Sequence, residues 1–560
     1  MNQRASATAS ARPSPLRRAR QLLALDGQDI AVIVIYGVAL GLLSLAVPVA
    51  VQSLVNTVAF GSLIQPLVVL TVLLALALTG AGILRALQIR IAEMLQRRLF
   101  VRLVTEIGAR LPRVSGTALR DANGPELLNR FFDVFTTQKS VASLLLGGID
   151  AVLIALVGLI VLAFYHPALL AFDLVLILGA AFVLIPLGRG GTVTSIAESK
   201  AKYAVVGWLE EMARHPLSFK LAGGDDLARF QVETLARSYL DKRDRHFRIV
   251  YRQVVGALSI EVVASVALLA VGGLLVIERQ LSIGQLVAAE LIVTAVVASL
   301  AKLGGKVETF YDLVAAVDKL GEILDLPLER SDGEILPADA TAGSGLLLDD
   351  VEIDSDFADR PTHVSLRVDP GKRLSIAGTE RETTALVDSI FGLRAPKAGV
   401  IELGGHDVRD LSLGALRDRI ALVRGAEVFP GCILDNLRAA KSGLSAEDAW
   451  EALARVGIAE TVKSLPEGLQ TPLSRDGAPL SRTELVALTI ARALAGKPSL
   501  LILDRTLDQI DPRAGARITE SLSEDPESGL LIVSENSAIQ AQMDEHIEIS
   551  KHIEHEGAAA

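Results

Sequence analysis

Cysteine is all but missing from this chain: the single Cys432 among 560 residues excludes an internal disulfide. Aromatics are scarce at 4% of residues, and the formal net charge of -10 offers no basic footprint for nucleic acid. The eight histidines, among them His166, His215, His363 and His406, are scattered without ligand spacing, so no metal site is expected. A GxGxxG dinucleotide loop is also absent. What abounds is aliphatic. Apolar residues make up 51% of the chain and its mean hydropathy is +0.43, a composition suited to helices dissolved in lipid.

The apolar runs fall in the first half. Six of them, at about 30 to 58, 64 to 88, 143 to 165, 167 to 188, 254 to 277 and 283 to 303, approach or exceed the roughly 20 residues that a membrane helix needs. The first is too long for a cleaved signal and lacks a small-residue cleavage pattern. Arg4, Arg12, Arg17, Arg18 and Arg20 precede it, so the positive-inside bias puts the N-terminus in the cytoplasm, and six crossings return the C-terminus there; the expected location is multi-pass in the cytoplasmic (inner) membrane. Loops predicted outside are short. The inner connections, 89 to 142 and 189 to 253, are long and keep helical periodicity with charges, which predicts two antiparallel hairpins reaching well beyond the bilayer. Pro48 and Pro186 are expected to kink the first and fourth spans.

Past Leu326 the pattern changes. A stretch rich in turn formers, "LPLERSDGEILPADATAGSG", reads as a linker. Beyond it, strands such as "GLLLDDVEI", "RLSIA", "DRIALV", "SLLILD" and "GLLIVS" alternate with helices near 384 to 393, 481 to 495 and 512 to 522, the signature of a soluble α/β domain. The predicted layout is an arm at 1–28, an all-α six-helix membrane domain at 29–325, a linker at 326–345, an α/β domain at 346–552 and a tail at 553–560.

This order of parts resembles the ATP-binding-cassette (ABC) exporters, in particular half-transporters of type I secretion and peptide export. "LLSLAVPVAVQSLVNTV" is similar to their first span. "GPELLNRFFDV", with Glu126 and Arg130, resembles the first coupling helix, and "GWLEEMARHPLSFKLAGG", with Glu210 and Glu211, the second. "GGLLVIERQLSIGQLVAAE" resembles the turn into the sixth span. No peptidase domain is expected before the first span, so leader cleavage is not implied. The resemblance implies a six-span exporter domain joined to a P-loop NTPase-type ABC ATPase domain, with lipid and a second exporter half, identical or intact, as partners, and secretion-system components besides.

The phosphate-handling motifs depart from the family pattern. A working GxxxxGK[ST] loop turns backbone N–H groups to the phosphates, reaches them with a lysine and offers a hydroxyl to magnesium. Here the loop reads Gly378-Thr379-Glu380-Arg381-Glu382-Thr383-Thr384 and is one residue short, with Thr383 or Glu382 at the lysine position and Thr384 offering the hydroxyl. Glu380 and Glu382 are expected to face phosphate. At about 4 Å and an effective dielectric near 20, such a like-charge pair costs on the order of 4 kcal/mol. The LSGGQ signature is replaced by Leu480-Ser481-Arg482-Thr483-Glu484, keeping only the Leu480-Ser481 pair. Asp504 matches the magnesium-coordinating aspartate and is a vestigial metal position. Arg505 stands at the catalytic glutamate, and an arginine is no general base with a pKa above about 12. Arg424 or Gly425 replaces the loop glutamine, Glu535 the histidine switch and Ser355 the adenine-stacking aromatic, with Phe357 close by, while Asp511 keeps the neighbouring loop's aspartate. These positions read as a degenerate nucleotide-binding domain with no catalytic residue. No cofactor is expected unless ATP and Mg²⁺ bind in an unusual way.

The spans carry acids of their own. Asp150, Asp173, Glu261 and Glu290 are read as unpaired and able to line a polar path for a cationic substrate, or as protonated or interhelically bonded. The expected function is therefore a transport or secretion subunit whose cassette does not run an ordinary ATP cycle. The alternatives are a non-transporting membrane scaffold or regulator, and an ATP-driven exporter with unusual nucleotide contacts.

Overall fold

The computed structural model describes residues 13–59, 64–121, 127, 129–335, 345–353, 362–523 and 528–549. Glu126, Ser355, Phe357, linker residues 336–344 and the 553–560 tail lie outside the described residues. Two compact units emerge: Met1–Val114 with Ala118–Pro327, and Leu328–Ala560 with Ser115–Thr117.

Six helical segments of the first unit are long and apolar enough to cross a membrane: Gly27–Thr57, Ile64–Arg113, Arg130–Ala163, Pro167–Leu184, Gly224–Ile277 and Ile283–Leu324. They are the first to sixth spans below. At 1.5 Å per residue the 54-residue helix Gly224–Ile277 runs about 80 Å, against a hydrocarbon layer of about 30 Å. More than half of it extends past the bilayer, as the charged periodicity predicts. Aliphatic side chains such as Leu73, Leu174, Val262 and Leu269 point outward, which is the inverse of a soluble helix and suits lipid contact.

Small residues bring the spans together. Gly37 and Gly41 of the first span lie on one face, and a Cβ on Gly41 would sit 3.2 Å from Val157 Cγ2 and 3.3 Å from the Leu153 carbonyl of the third. A Cβ on Gly158 would meet Val296 Cγ2 of the sixth span at 2.5 Å. Where lipid tails are as apolar as leucine, such close backbone approach is what drives helix association.

The two prolines act differently from a simple kink. The first span is two helices, Gly27–Leu43 and Ala46–Ala59, and Pro48 sits in the first turn of the second, where its missing N–H is least costly. The fourth span ends at Leu184, so Pro186 follows a helix terminus rather than bending a continuous helix. The freed carbonyls there are capped by neighbours: Arg252 reaches the Leu187 and Arg189 oxygens, and Tyr311 donates to Gly188 O at 3.2 Å.

The second unit contains a four-stranded antiparallel sheet of β1 Leu346–Ile353, β2 Thr362–Val368, β4 Val400–Leu403 and β5 His406–Asp407, in the order β2-β1-β4-β5. A five-stranded parallel sheet is made of β3 Arg373–Ala377, β6 Ile420–Val423, β9 Leu500–Asp504, β10 Gly529–Val533 and β11 Glu545–Glu548. Its order is β11-β3-β10-β9-β6. β9 and β10 are buried along their whole length, which fits a central pair covered on both faces. The hairpin pair β7 Gly431–Cys432 and β8 Pro472–Leu473 belongs to the helical lobe. The parallel register places the C-terminal ends of β3, β9 and β10 side by side, with Ile376 opposite Val533 and Val533 opposite Asp504. In open α/β sheets that edge is where ligands bind.

Candidate nucleotide site

The helix after β3 starts earlier than the sequence pattern suggests. It spans Glu380–Ile390, not 384 to 393, because Thr379 and Glu382 form a capping box. Glu382 N–H donates to Thr379 Oγ1 at 3.4 Å, while the Glu382 carboxylate accepts from Thr379 Oγ1 at 2.6 Å and from Thr379 N–H at 3.3 Å. Thr362 Oγ1 adds a bond to the same carboxylate at 3.1 Å. A helix N-terminus attracts anions through its free N–H groups and its dipole; here a carboxylate of the chain itself takes that place. The expectation that Glu382 faces outward to a phosphate is thus corrected. Thr383, at the lysine position, is fully buried and donates its hydroxyl to Thr379 O and Glu380 O. Thr384 is half-buried.

The second helix N-terminus repeats the device. Ser481 caps the helix Arg482–Ala495, and Glu484 reaches back to accept from Ser481 N–H and Ser481 Oγ, each at 2.7 Å. Arg482 donates to Gln509 Oε1 at 2.7 Å. Asp511 is likewise a cap, accepting from Arg513 N–H at 2.9 Å and Ala514 N–H at 3.2 Å at the start of Pro512–Leu522.

Two arginines hold the sheet edge. Arg424, just past β6, places its guanidinium between two buried carboxylates, 2.6 Å from Asp504 and 2.9 Å from Asp388. Burial opposes its charge, but the two aspartates outweigh it and hold its pKa above the ordinary arginine value. Asp504 Oδ1 has no hydrogen-bond partner among the described residues, so one guanidinium is the counter-charge at Asp504. Arg505 adopts φ +50, a left-handed conformation costing on the order of 1 kcal/mol for a residue with a Cβ. Its side chain donates to Gly378 O at 2.9 Å and pairs with Glu535 at 3.1 Å. Gly378, Arg505 and Glu535 are therefore joined directly to one another. Among the described residues, no group of three or more His, Cys, Asp or Glu gathers to hold a metal.

Asp388 is a site residue that the motif pattern does not point to. Its signal is a lone acid in the otherwise uncharged and buried row from Ala385 to Ile390. In the membrane unit the reading of four unpaired acids needs correction at Asp150, which is bonded to Arg85 and accepts from Gln88 at 2.9 Å; Arg85 lies within the second apolar run. Asp173 is 3% exposed, and neither oxygen is hydrogen-bonded among the described residues. Glu261 and Glu290 are half-buried. The four acids are not gathered by any bond into one cluster. Of the coupling positions, Arg130 pairs with Glu322 at 2.6 Å, Glu210 accepts from Asn129, and Glu211 pairs with Arg214 at 2.6 Å.

The comparisons with known proteins agree with this architecture. The model described as ABC transporter matches residues 362–507. Among curated proteins, the chain is 28% identical over 267 residues to a fatty acid ABC transporter ATP-binding/permease protein of Mycobacterium tuberculosis, covering 46% of this chain and 41% of that protein. It is 27% identical over 290 residues to the alpha-hemolysin translocation ATP-binding protein HlyB of Escherichia coli O157:H7, covering 50% and 40%. The match to an ATP-dependent lipid A-core flippase of Methylococcus capsulatus, 27% over 488 residues, covers 83% and 80%. The match thus spans about two fifths of the first of these relatives and four fifths of the last. A solved bacterial Atm1-family ABC exporter with ATP bound superposes with a TM-score of 0.80 at 19% identity, covering 93% of each chain. The chain has the fold of an ABC exporter half-transporter, with six apolar helical segments followed by a C-terminal ABC domain.

Proposed function

We propose that this chain is one half of an ABC-exporter-type transport or secretion assembly in the cytoplasmic membrane, and that its cassette does not run an ordinary ATP cycle. The layout follows the sequence pattern: an arm at 1–28, a membrane domain at 29–325, a linker at 326–345, a cassette at 346–552 and a tail at 553–560, with both termini cytoplasmic. The partner is a second exporter half, either another copy or an intact relative.

One observation carries the reading. Both helix N-termini that serve phosphate in the family, after Gly378 and after Leu480, already hold a carboxylate of their own, Glu382 and Glu484. A phosphate arriving at either must displace a bonded carboxylate or share its field. The metal position supports the same view. Arg424 holds one Asp504 oxygen, and a guanidinium beside that carboxylate repels a divalent cation. The residues present do not fit a Mg²⁺-nucleotide site of the usual kind, and hydrolysis is not assigned to this chain. Arg505 in place of the general base removes the group that would activate water.

The test is to purify the chain in lipid, alone and with any co-encoded exporter half, and measure nucleotide binding and ATPase rate. Binding weaker than millimolar and no turnover by the lone chain are expected. Micromolar binding with turnover by the lone chain overturns the reading.

A further inference from the structure

Asp173 sits in the fourth span, six residues and about 9 Å along the helix from its first residue, Pro167. Leu169 and Leu176, one turn to either side on the same face, are packed into one cluster with Leu162 of the third span, Leu268 of the fifth and Ile292 of the sixth. The carboxyl therefore points into the apolar interior of a single protomer, where a partner subunit or substrate does not reach it in this packing. It is 3% exposed, and neither oxygen has a hydrogen-bond partner among the described residues.

The packed neighbours supply no counter-charge. The third span carries Asp150, taken up by Arg85 and Gln88, and is followed by Tyr165, which donates to Gln52 at 2.6 Å. The fifth carries Glu261, about 8 Å deeper along the bundle as the packing of Gly256 on Val183 places it. The sixth carries Glu290 at a similar depth to Asp173, half-buried and also acidic, while its Lys306 donates to Ser143 at 2.7 Å. Among the described residues no cation meets Asp173. An ionised carboxylate left bare in such surroundings is strongly disfavoured by lost solvation, and such a group neutralises instead.

We propose that Asp173 is an intramembrane proton-binding site, holding its proton while the third to sixth spans stay closed around it and releasing it to water when they part. The balance is simple: the carboxylic acid O–H breaks, the proton passes to water, and the carboxylate left behind needs the hydration that parted helices admit. Whether the cassette binds ATP does not enter this step. Its sign follows from linkage. Above the ordinary carboxylate range the closed form binds one proton more than the open form, so closure loses stability as pH rises and gains it as pH falls.

The test uses the full chain in liposomes. Infrared spectra are expected to contain the carbonyl stretch of a neutral carboxylic acid at neutral pH that Asp173→Asn abolishes and Asp173→Glu, which keeps a titratable group, moves in frequency. Hydrogen exchange across Pro167–Leu184, corrected for intrinsic base catalysis, should rise with pH in the wild type and stay flat in Asp173→Asn. A wild-type spectrum with no neutral-acid band sensitive to residue 173, or corrected exchange that responds to pH equally in both proteins, overturns the proposal.

Discussion

Arg424 is the residue on which the sheet edge depends most. It lies between Asp388 and Asp504, each no more than 3% exposed, so removing it leaves two carboxylates facing each other in the interior. Breaking a buried ion pair by deleting one partner costs about 3–5 kcal/mol, because an uncompensated charge remains. Arg424→Ala should therefore lower the melting point of the cassette by on the order of 10 °C, at the roughly 2–4 °C per kcal/mol typical of a domain this size. Arg424→Lys should fall between, since an ammonium cannot span both acids with a planar fork. Differential scanning calorimetry of the full chain reads both. An unchanged cassette transition in Arg424→Ala would mean that the two acids are neutral or hydrated, and that the arginine does not hold them. Little of this triad is legible in the sequence. Arg424 and Asp504 stand out as altered or retained motif positions, but Arg424 is separated from Asp388 and Asp504 by 36 and 80 positions, and only the parallel sheet brings the three together.

At the scale of elements, what the sequence makes readable follows from strong, local physics. Lipid demands about 20 consecutive apolar residues, so the six spans stand out, and the charged helical periodicity after Arg85 announces the long extensions. Boundaries set by capping chemistry are harder. The glycine after β3 suggests an open loop before Glu380–Ile390, whereas Thr379 and Glu382 close it within one turn. Pro186 suggests a kink because periodicity alone does not reveal that the helix stops at Leu184. The glycine contacts between spans are equally hidden, since the sequence does not say which helices neighbour each other. They give a clean prediction. A Cβ at Gly158 would lie 2.5 Å from Val296 Cγ2 and 3.4 Å from Ile292 Cγ2, so Gly158→Val must push the third and sixth spans apart, at about 1–3 kcal/mol for overpacking. Gly80→Ala, with nothing within 4 Å of the new methyl, serves as the control and should not lower stability. Thermal unfolding in detergent distinguishes the two, and equal melting points would deny that this contact is tight.

For the whole molecule the decisive quantity is how many complete nucleotide sites an assembly contains. In the exporter arrangement each site is composite: one half supplies the phosphate loop and the other half the signature helix. Under the proposed reading this chain would give Gly378 to Thr384 to one site and Leu480 to Glu484 to the other, and each stretch is closed by its own glutamate. Under the proposed reading, an intact partner therefore cannot restore a site by itself, because in a mixed dimer both sites receive one altered face. The consequence is quantitative. Titrating this chain into an intact co-encoded half in nanodiscs should lower ATP turnover per intact subunit in proportion to the mixed dimers formed, down to the background of the lone chain at saturation. Changing only the signature face of this chain, by Arg482→Gly, Thr483→Gly and Glu484→Gln together, should recover turnover at the one site whose phosphate loop comes from the partner, and at most half the rate of the intact homodimer. Turnover that stays level as mixed dimers accumulate would mean that Ser481 and Arg482 serve a phosphate as they stand, and the assembly would then be an ATP-driven exporter with unusual contacts.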